Sequence, residues 1–272
     1  MLTSKSEYPS GMFSSEEGAR SDGQNRLLAG YLAFIAGFVN SSGFILIGTF
    51  TSHVTGNVGR IANDVVSGAG GAAISAFALV VSFFTGALLV SIILESRFFG
   101  HVSRAYVVAL VVEAALLTGF TLFSYVAAAA HPRVLDAEAA LLCAAMGMQN
   151  ALVTRLSGAV VRTTHLTGVA TDLGIEAARW FRYWRQSLSA VGRIRLVMGP
   201  NRAERPQAAK FLLLFTIGAS FTFGAVVGAL LTVRFGAPSM LVAAFAIGAL
   251  AFYAFKNGRT HDDREAARLS RR

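Results

Sequence analysis

Two six-residue stretches carry side chains that could handle protons, ions or a small polar solute: Thr51-Ser52-His53-Val54-Thr55-Gly56 and Thr163-Thr164-His165-Leu166-Thr167-Gly168. Each follows a long apolar segment, so the same polar chemistry is set beside hydrocarbon twice. Imidazole titrates near neutrality and coordinates readily, which makes His53 and His165 candidate proton-relay groups. As metal ligands they are poorly served. No companion carboxylate stands at ligand spacing, and Cys143 is the only cysteine, so no metal and no cofactor is expected. The glycines allow an unusual turn or close approach, and the threonine hydroxyls can satisfy carbonyls freed where a helix breaks. Small polar motifs also pack helices together, so a structural contact between two halves is an equally good reading.

Further polar residues interrupt the apolar segments themselves. Asn40, with Ser41 and Ser42, gives the first segment a polar waist; Gln149 and Asn150 do the same near the end of the fourth. Glu113 falls in the middle of the third, where an ionised carboxylate costs about 3 kcal/mol on insertion scales. Its strongly apolar neighbours offset that cost, so the segment still inserts and Glu113 should face the bundle interior, as a coupling-ion carboxylate or a structurally bonded group. Asn57 continues the first motif into a short polar stretch ending at Asp64, and Glu176 stands at the matching place after the second motif. For these two acids, a helix cap or a solvated end is the expected role.

The elements that must position these groups follow from composition. The chain is 54% hydrophobic and 14% charged, with a mean hydropathy of +0.56, too apolar for a soluble domain of 272 residues. Several uninterrupted apolar stretches approach or exceed the roughly 20 residues a helix needs to cross a bilayer. Dyad alternation is missing, which disfavours a strand barrel. Six spans are expected, at about 27–50, 72–94, 105–126, 137–153, 208–233 and 238–255. The first motif should lead into a short or re-entrant helix, ended by a joint at Gly68, Gly70 and Gly71. After the second motif, residues 175–191 alternate Trp180, Phe181, Tyr183 and Trp184 with Arg179, Arg182 and Arg185, a pattern suited to a helix lying among anionic lipid headgroups. Residues 1–26 read as a disordered polar tail, 27–130 and 131–255 as two membrane repeats, 175–207 as a basic loop, and 256–272 as a basic tail.

Charge orients the whole. Taking the loops alternately, one side of the membrane holds 21 Lys and Arg residues and the other only Arg60, Arg133 and Arg234. That asymmetry predicts a membrane protein with both termini in the cytoplasm. The net charge of +9 is thus explained by a membrane face, and no nucleic-acid partner is expected.

The duplication extends beyond the motifs. Gly37 and Asn40 match Gly147 and Asn150 at an offset of 110; the motifs, and Asp64 with Glu176, match at 112. Each half contains three spans, and an odd number forces the second half to enter from the opposite side. The expected fold is therefore an all-α membrane protein of two inverted three-helix repeats, with short interrupted or interfacial helices after spans one and four.

Three stretches, Thr51 to Arg60, Gly147-Met148-Gln149-Asn150-Ala151 and Val161 to Gly168, resemble the YoaK-like family of multi-pass bacterial membrane proteins, built on a domain of unknown function. The resemblance covers about residues 27–255. It implies an inner-membrane protein, sometimes guessed to be a transporter, and supplies no catalytic residues. The family position occupied here by Asn40 often carries an acid.

Inverted repeats with polar, glycine-containing interruptions are frequent in transporters, whose sites lie near the bilayer midplane at the repeat interface. A path for an unidentified small solute would then be lined from Asn40, Thr51, Ser52, His53, Thr55, Gly56, Asn57, Glu113, Gln149, Asn150, Thr163, Thr164, His165, Thr167 and Gly168. The alternative is a non-transporting scaffold that binds a partner through its basic region. No hydrolase elbow, metalloprotease helix or phosphate loop is present, so catalysis is not expected.

Overall fold

The computed structural model describes residues 22–96, 102–127, 133–156, 166–189 and 205–269, and every regular element among them is helical. In chain order these are α1 (Asp22–Ile47), α2 (Val54–Val66), α3 (Gly70–Glu95), α4 (Val102–Ala127), α5 (Arg133–Leu156), α6 (Leu166–Ser189), α7 (Ala208–Phe235) and α8 (Met240–Leu269). One turn of 3-10 helix, Ala237–Ser239, joins α7 to α8. Five helices are long and apolar enough to cross a membrane: α1, α3, α4, α7 and α8. Large apolar side chains such as Phe77, Phe84, Phe223, Leu230, Phe245 and Phe252 point outward from them, the arrangement of a multi-pass membrane protein that faces hydrocarbon.

α5 occupies the fourth expected span yet is not apolar enough to join those five. Its surroundings explain why. It packs against α1, α3 and α4, and Leu142, Met146, Met148, Gln149 and Leu152 are almost completely covered. A helix sheltered by other helices has no need of a lipid-compatible surface and can carry small and polar residues instead.

The most extensive helix contacts are α1 with α7 and α3 with α5. Both are built on reciprocal glycines. A Cβ on Gly37 would overlap the Phe221 carbonyl of α7, and one on Gly224 would overlap the Phe34 carbonyl of α1. Between α3 and α5 the same holds for Gly147 against Phe83 and for Gly86 against Ala144. Only glycine lets backbones approach this closely, and close backbone approach is what drives helix association where the solvent is itself apolar.

Direction can be read from neighbouring contacts. Gly30 faces Thr216 and Ser220, Gly224 faces Phe34, and Gly228 faces Phe38 and Ser42, so α1 and α7 run the same way. α3 and α5 are likewise parallel, since Arg155 at the end of α5 pairs with Glu95 at the end of α3.

Several boundaries differ from expectation. α1 stops at Ile47, three residues before Phe50, because Gly48 turns the chain at φ 72° while its N–H still reaches the Phe44 carbonyl. The interfacial helix begins at Leu166, inside the second motif. α8 continues to Leu269, through most of the stretch read as a basic tail.

Candidate functional site

The break after α1 is shaped by one side chain. Asn40 accepts two hydrogen bonds at its Oδ1, from the Ser52 N–H at 3.2 Å and the Ser52 hydroxyl at 3.0 Å. Asn40 lies seven residues before the end of α1. At 1.5 Å per residue the loop therefore folds back about 10 Å alongside its own helix. The polar waist and the first motif, separate in sequence, are one structure.

Thr51 is carried inward by this fold-back and is 1% exposed. Its methyl group comes against Gly43, at 2.9 Å from where a Cβ would stand, on ground that Gly43 shares with Leu142 of α5. The Thr51 hydroxyl has no hydrogen-bond partner. Neither has the hydroxyl of Ser42, which is 0% exposed and set against Gly228 of α7. Two buried hydroxyls without partners thus stand next to α1, one on the α5 side and one on the α7 side. Such groups are rare in native interiors, since each costs about 1–3 kcal/mol when left unsatisfied.

His53 goes the other way. It is exposed, edge-on to Phe50 with ring centroids 6.5 Å apart, and Phe50 in turn stacks on Phe44 at 4.3 Å. A side chain at Gly56 would overlap the imidazole, so the glycine of the motif makes room for its own histidine. His53 also stands at the N-cap of α2 without a side-chain capping bond. Thr55 is exposed, whereas Asn57 is the buried residue of α2.

Deeper in the bundle, Gln149 of α5 donates to the Leu32 carbonyl of α1 at 3.2 Å, and its side-chain oxygen has no partner. Asn150, beside it, accepts from the Thr154 hydroxyl at its own carbonyl, 2.7 Å away. Glu113 is 0% exposed in the middle of α4, and neither carboxyl oxygen has a hydrogen-bond partner.

Thr163, Thr164 and His165 lie outside the described residues. Thr167 and Gly168 form the exposed first turn of α6. Glu176 is neither a cap nor a solvated end. It is 1% exposed, bonded to Arg179 at 2.8 Å and to Lys210 of α7 at 3.2 Å, so it ties α6 to the start of α7. Its counterpart Asp64 pairs with Arg60 at 3.5 Å within α2. Arg182 and Arg185 remain exposed, together with Phe181 and Trp184.

The structure therefore brings Asn40, Thr51 and Ser52 together, buries Ser42 separately against α7, and turns His53 and Thr55 outward. Ser42 could have been found in the sequence, because it belongs to the same polar waist as Asn40. Its partnerless burial depends on α7, more than 180 residues away, and no local signal announces that.

No curated protein and no solved structure matches the chain. One family model does, over residues 28–253, from the first buried turn of α1 almost to the end of the apolar part of α8, and by that match the chain belongs to the family described as protein of unknown function (DUF1275).

Proposed function

We propose that this protein moves a small polar solute across the bilayer, along a path between two inverted three-helix halves. The observation that carries the reading is the end of α1, where the loop folds back onto Asn40 and leaves the Thr51 hydroxyl buried without a partner, while the equally partnerless Ser42 hydroxyl is buried against α7. Irregular backbone at membrane depth is tolerated where protein or a water-filled cavity covers it, and orphaned hydroxyls there are ready to accept a solute's polar groups. In this reading Asn40, Ser42, Thr51, Ser52, Gln149 and Glu113 line the path. His53 acts as packing for the loop.

Repetition in the packing supports the inverted halves. Phe34 and Gly37 of α1 correspond to Ala144 and Gly147 of α5 at an offset of 110, and Phe83 and Gly86 of α3 correspond to Phe221 and Gly224 of α7 at 138. Each first helix thus uses the same two positions to grip the opposite half. Direction supports six crossings. With α1 and α7 parallel, an odd number of crossings must lie between them; α3 and α4 supply two, and α5 is the third. The 21-to-3 charge asymmetry then favours cytoplasmic termini, and the family resemblance an inner membrane. α6 would lie on anionic headgroups through Arg182 and Arg185, with Arg179 partly committed to Glu176.

Two experiments test the reading. In a Cys143→Ser background, single cysteines at the exposed Thr55 and Thr167 should react with a membrane-impermeant thiol reagent from opposite sides of sealed vesicles; labelling from one side overturns the inversion. A solute that raises the melting temperature of the wild-type chain should also enter vesicles containing it, and Thr51→Val should slow entry at least tenfold. Entry unaffected by Thr51→Val would remove this loop from the path.

A further inference from the structure

Glu113 is left without a structural use by everything described so far. It stands 11 residues after the start of α4 and 14 before its end, about 17 and 21 Å from the two termini. Along the buried face of α4 it follows Ala109 and Leu110 and precedes Leu117 and Phe120, all hydrocarbon. Both oxygens are covered, and neither meets a donor. A carboxylate in that position would be an uncompensated charge in a medium that penalises charge strongly.

The neighbouring helices do not neutralise it. α4 packs against α8, α5 and α3 and touches the turn at 237–239. The buried face of α8 offers Ala243, Ala244, Ile247, Leu250, Ala251 and Ala254, none with a polar atom on its side chain. On α5, Gln149 turns its amide towards α1, Cys143 packs with Leu79 of α3, and Glu138, an acid that could not neutralise a carboxylate, stands five residues into the helix, near the opposite end of α5 from Arg155. Glu95 of α3 is committed to Arg155 at the helix ends. Tyr253 and Lys256 of α8 are exposed, and Arg104 and Tyr106, on α4 itself, stand about two turns or more before Glu113, neither of them hydrogen-bonded to its carboxyl group. Ser239 of the connecting turn is bonded to Thr232 at 2.8 Å. A metal ion would need several oxygen ligands, and the described surroundings provide one carboxyl group. A proton needs only that.

The repeat adds a second, independent observation. At the offset of 138 that relates α3 to α7, Ala105, Tyr106 and Ala109 of α4 fall on Ala243, Ala244 and Ile247 of α8, all buried, and Glu113 falls on Ala251. α4 and α8 are the one extensive helix pair in which equivalent helices of the two halves meet. Among the described residues, that interface therefore carries a single acid, on α4 and not on α8.

We propose that the Glu113 carboxyl is a proton-binding site at the meeting of the two halves, loaded from one side of the membrane and emptied to the other, with one proton per chain. Binding adds a proton to the carboxylate and release restores it, with no other bond made or broken. The inference rests on the transport reading for its purpose but not for its detection.

The test uses the full chain in lipid vesicles, carrying isotopically labelled glutamate, and infrared difference spectra between acid and alkaline buffer. A protonated-carboxyl stretching band that bears the isotope shift should shrink reversibly as pH rises, and Glu113→Gln should abolish it. Should Glu113→Gln not fold, Glu113→Asp should leave a titrating band without the isotope shift. A labelled band that stays constant across the range in which the fold survives overturns the proposal, as does a titrating band untouched by either substitution. A chain that titrates at Glu113 but carries no solute would remove the transport reading and leave the proton site standing. Solute uptake that ignores a pH gradient and persists in Glu113→Gln would remove the site's coupling role and leave transport.

Discussion

Asn40 shows how much one side chain decides here. Both side-chain bonds between the loop and α1 end on its Oδ1, so Asn40→Ala should release Ser52 without disturbing the α1–α7 contact. Two hydrogen bonds of ordinary strength are worth about 1–2 kcal/mol together, and amide exchange over residues 49–53 should quicken by roughly tenfold while the melting temperature changes little. Thr51 behaves in the opposite sense. Thr51→Val keeps the shape and removes a hydroxyl that has no partner, so the melting temperature should hold or rise even as, on the proposed function, solute entry falls. A clear drop in melting temperature would mean that the hydroxyl is satisfied in the membrane. The sequence made Asn40 and the motif visible as polar residues in apolar surroundings. It could not pair them, because the pairing depends on Gly48 reversing the chain, and a glycine before Thr-Phe-Thr-Ser is compatible with several turns.

At the scale of elements, the glycines separate into those that touch a neighbouring backbone and those that touch nothing. Gly37→Leu or Gly147→Leu would drive a side chain into a carbonyl of the facing helix and should cost about 3 kcal/mol or more, read as a lowered melting temperature in detergent. Gly248→Ala, on a helix face with open space, should be neutral or slightly stabilising by the same measurement. Glu176 invites a different probe. Its two ion pairs hold α6 to α7, and both tryptophans of the chain, Trp180 and Trp184, sit on α6. Intrinsic tryptophan emission therefore reports that helix alone, and Glu176→Gln should make it more accessible to a water-soluble quencher. Helix positions were legible from apolar runs to within a few residues because hydrocarbon thickness imposes them. The burial of Glu176 was not, since a short amphipathic helix reads the same whether or not a lysine from the next span reaches back to it.

For the whole molecule, the division at residues 128–132 is a division of sequence and not of packing. α1 lies before that point but packs chiefly on α7, and α5 lies after it but packs chiefly on α3. Residues 1–130 and 131–272 expressed as separate chains should each be degraded or aggregate alone, and should copurify when expressed together. Survival of either piece alone would contradict the exchanged arrangement. The likeness of the two motifs, and of Gly37 to Gly147, is visible in the sequence. Which helices the glycines grip is not, because an offset says that two segments are alike and nothing about what each one faces.

That exchange also bears on how the protein is made. Gly37 meets Phe221, 184 residues later in the chain. At the roughly 5–20 residues per second of protein synthesis, α1 waits on the order of 10–40 s in the bilayer with its glycine face uncovered before α7 emerges. During that interval nothing made so far supplies its principal partner, although α1 is the first helix made. A ribosome that stalls after α5 would leave a membrane-inserted intermediate with α3 and α5 already joined and α1 still open, which is the point in the life of this protein when a membrane chaperone or protease has the most to recognise.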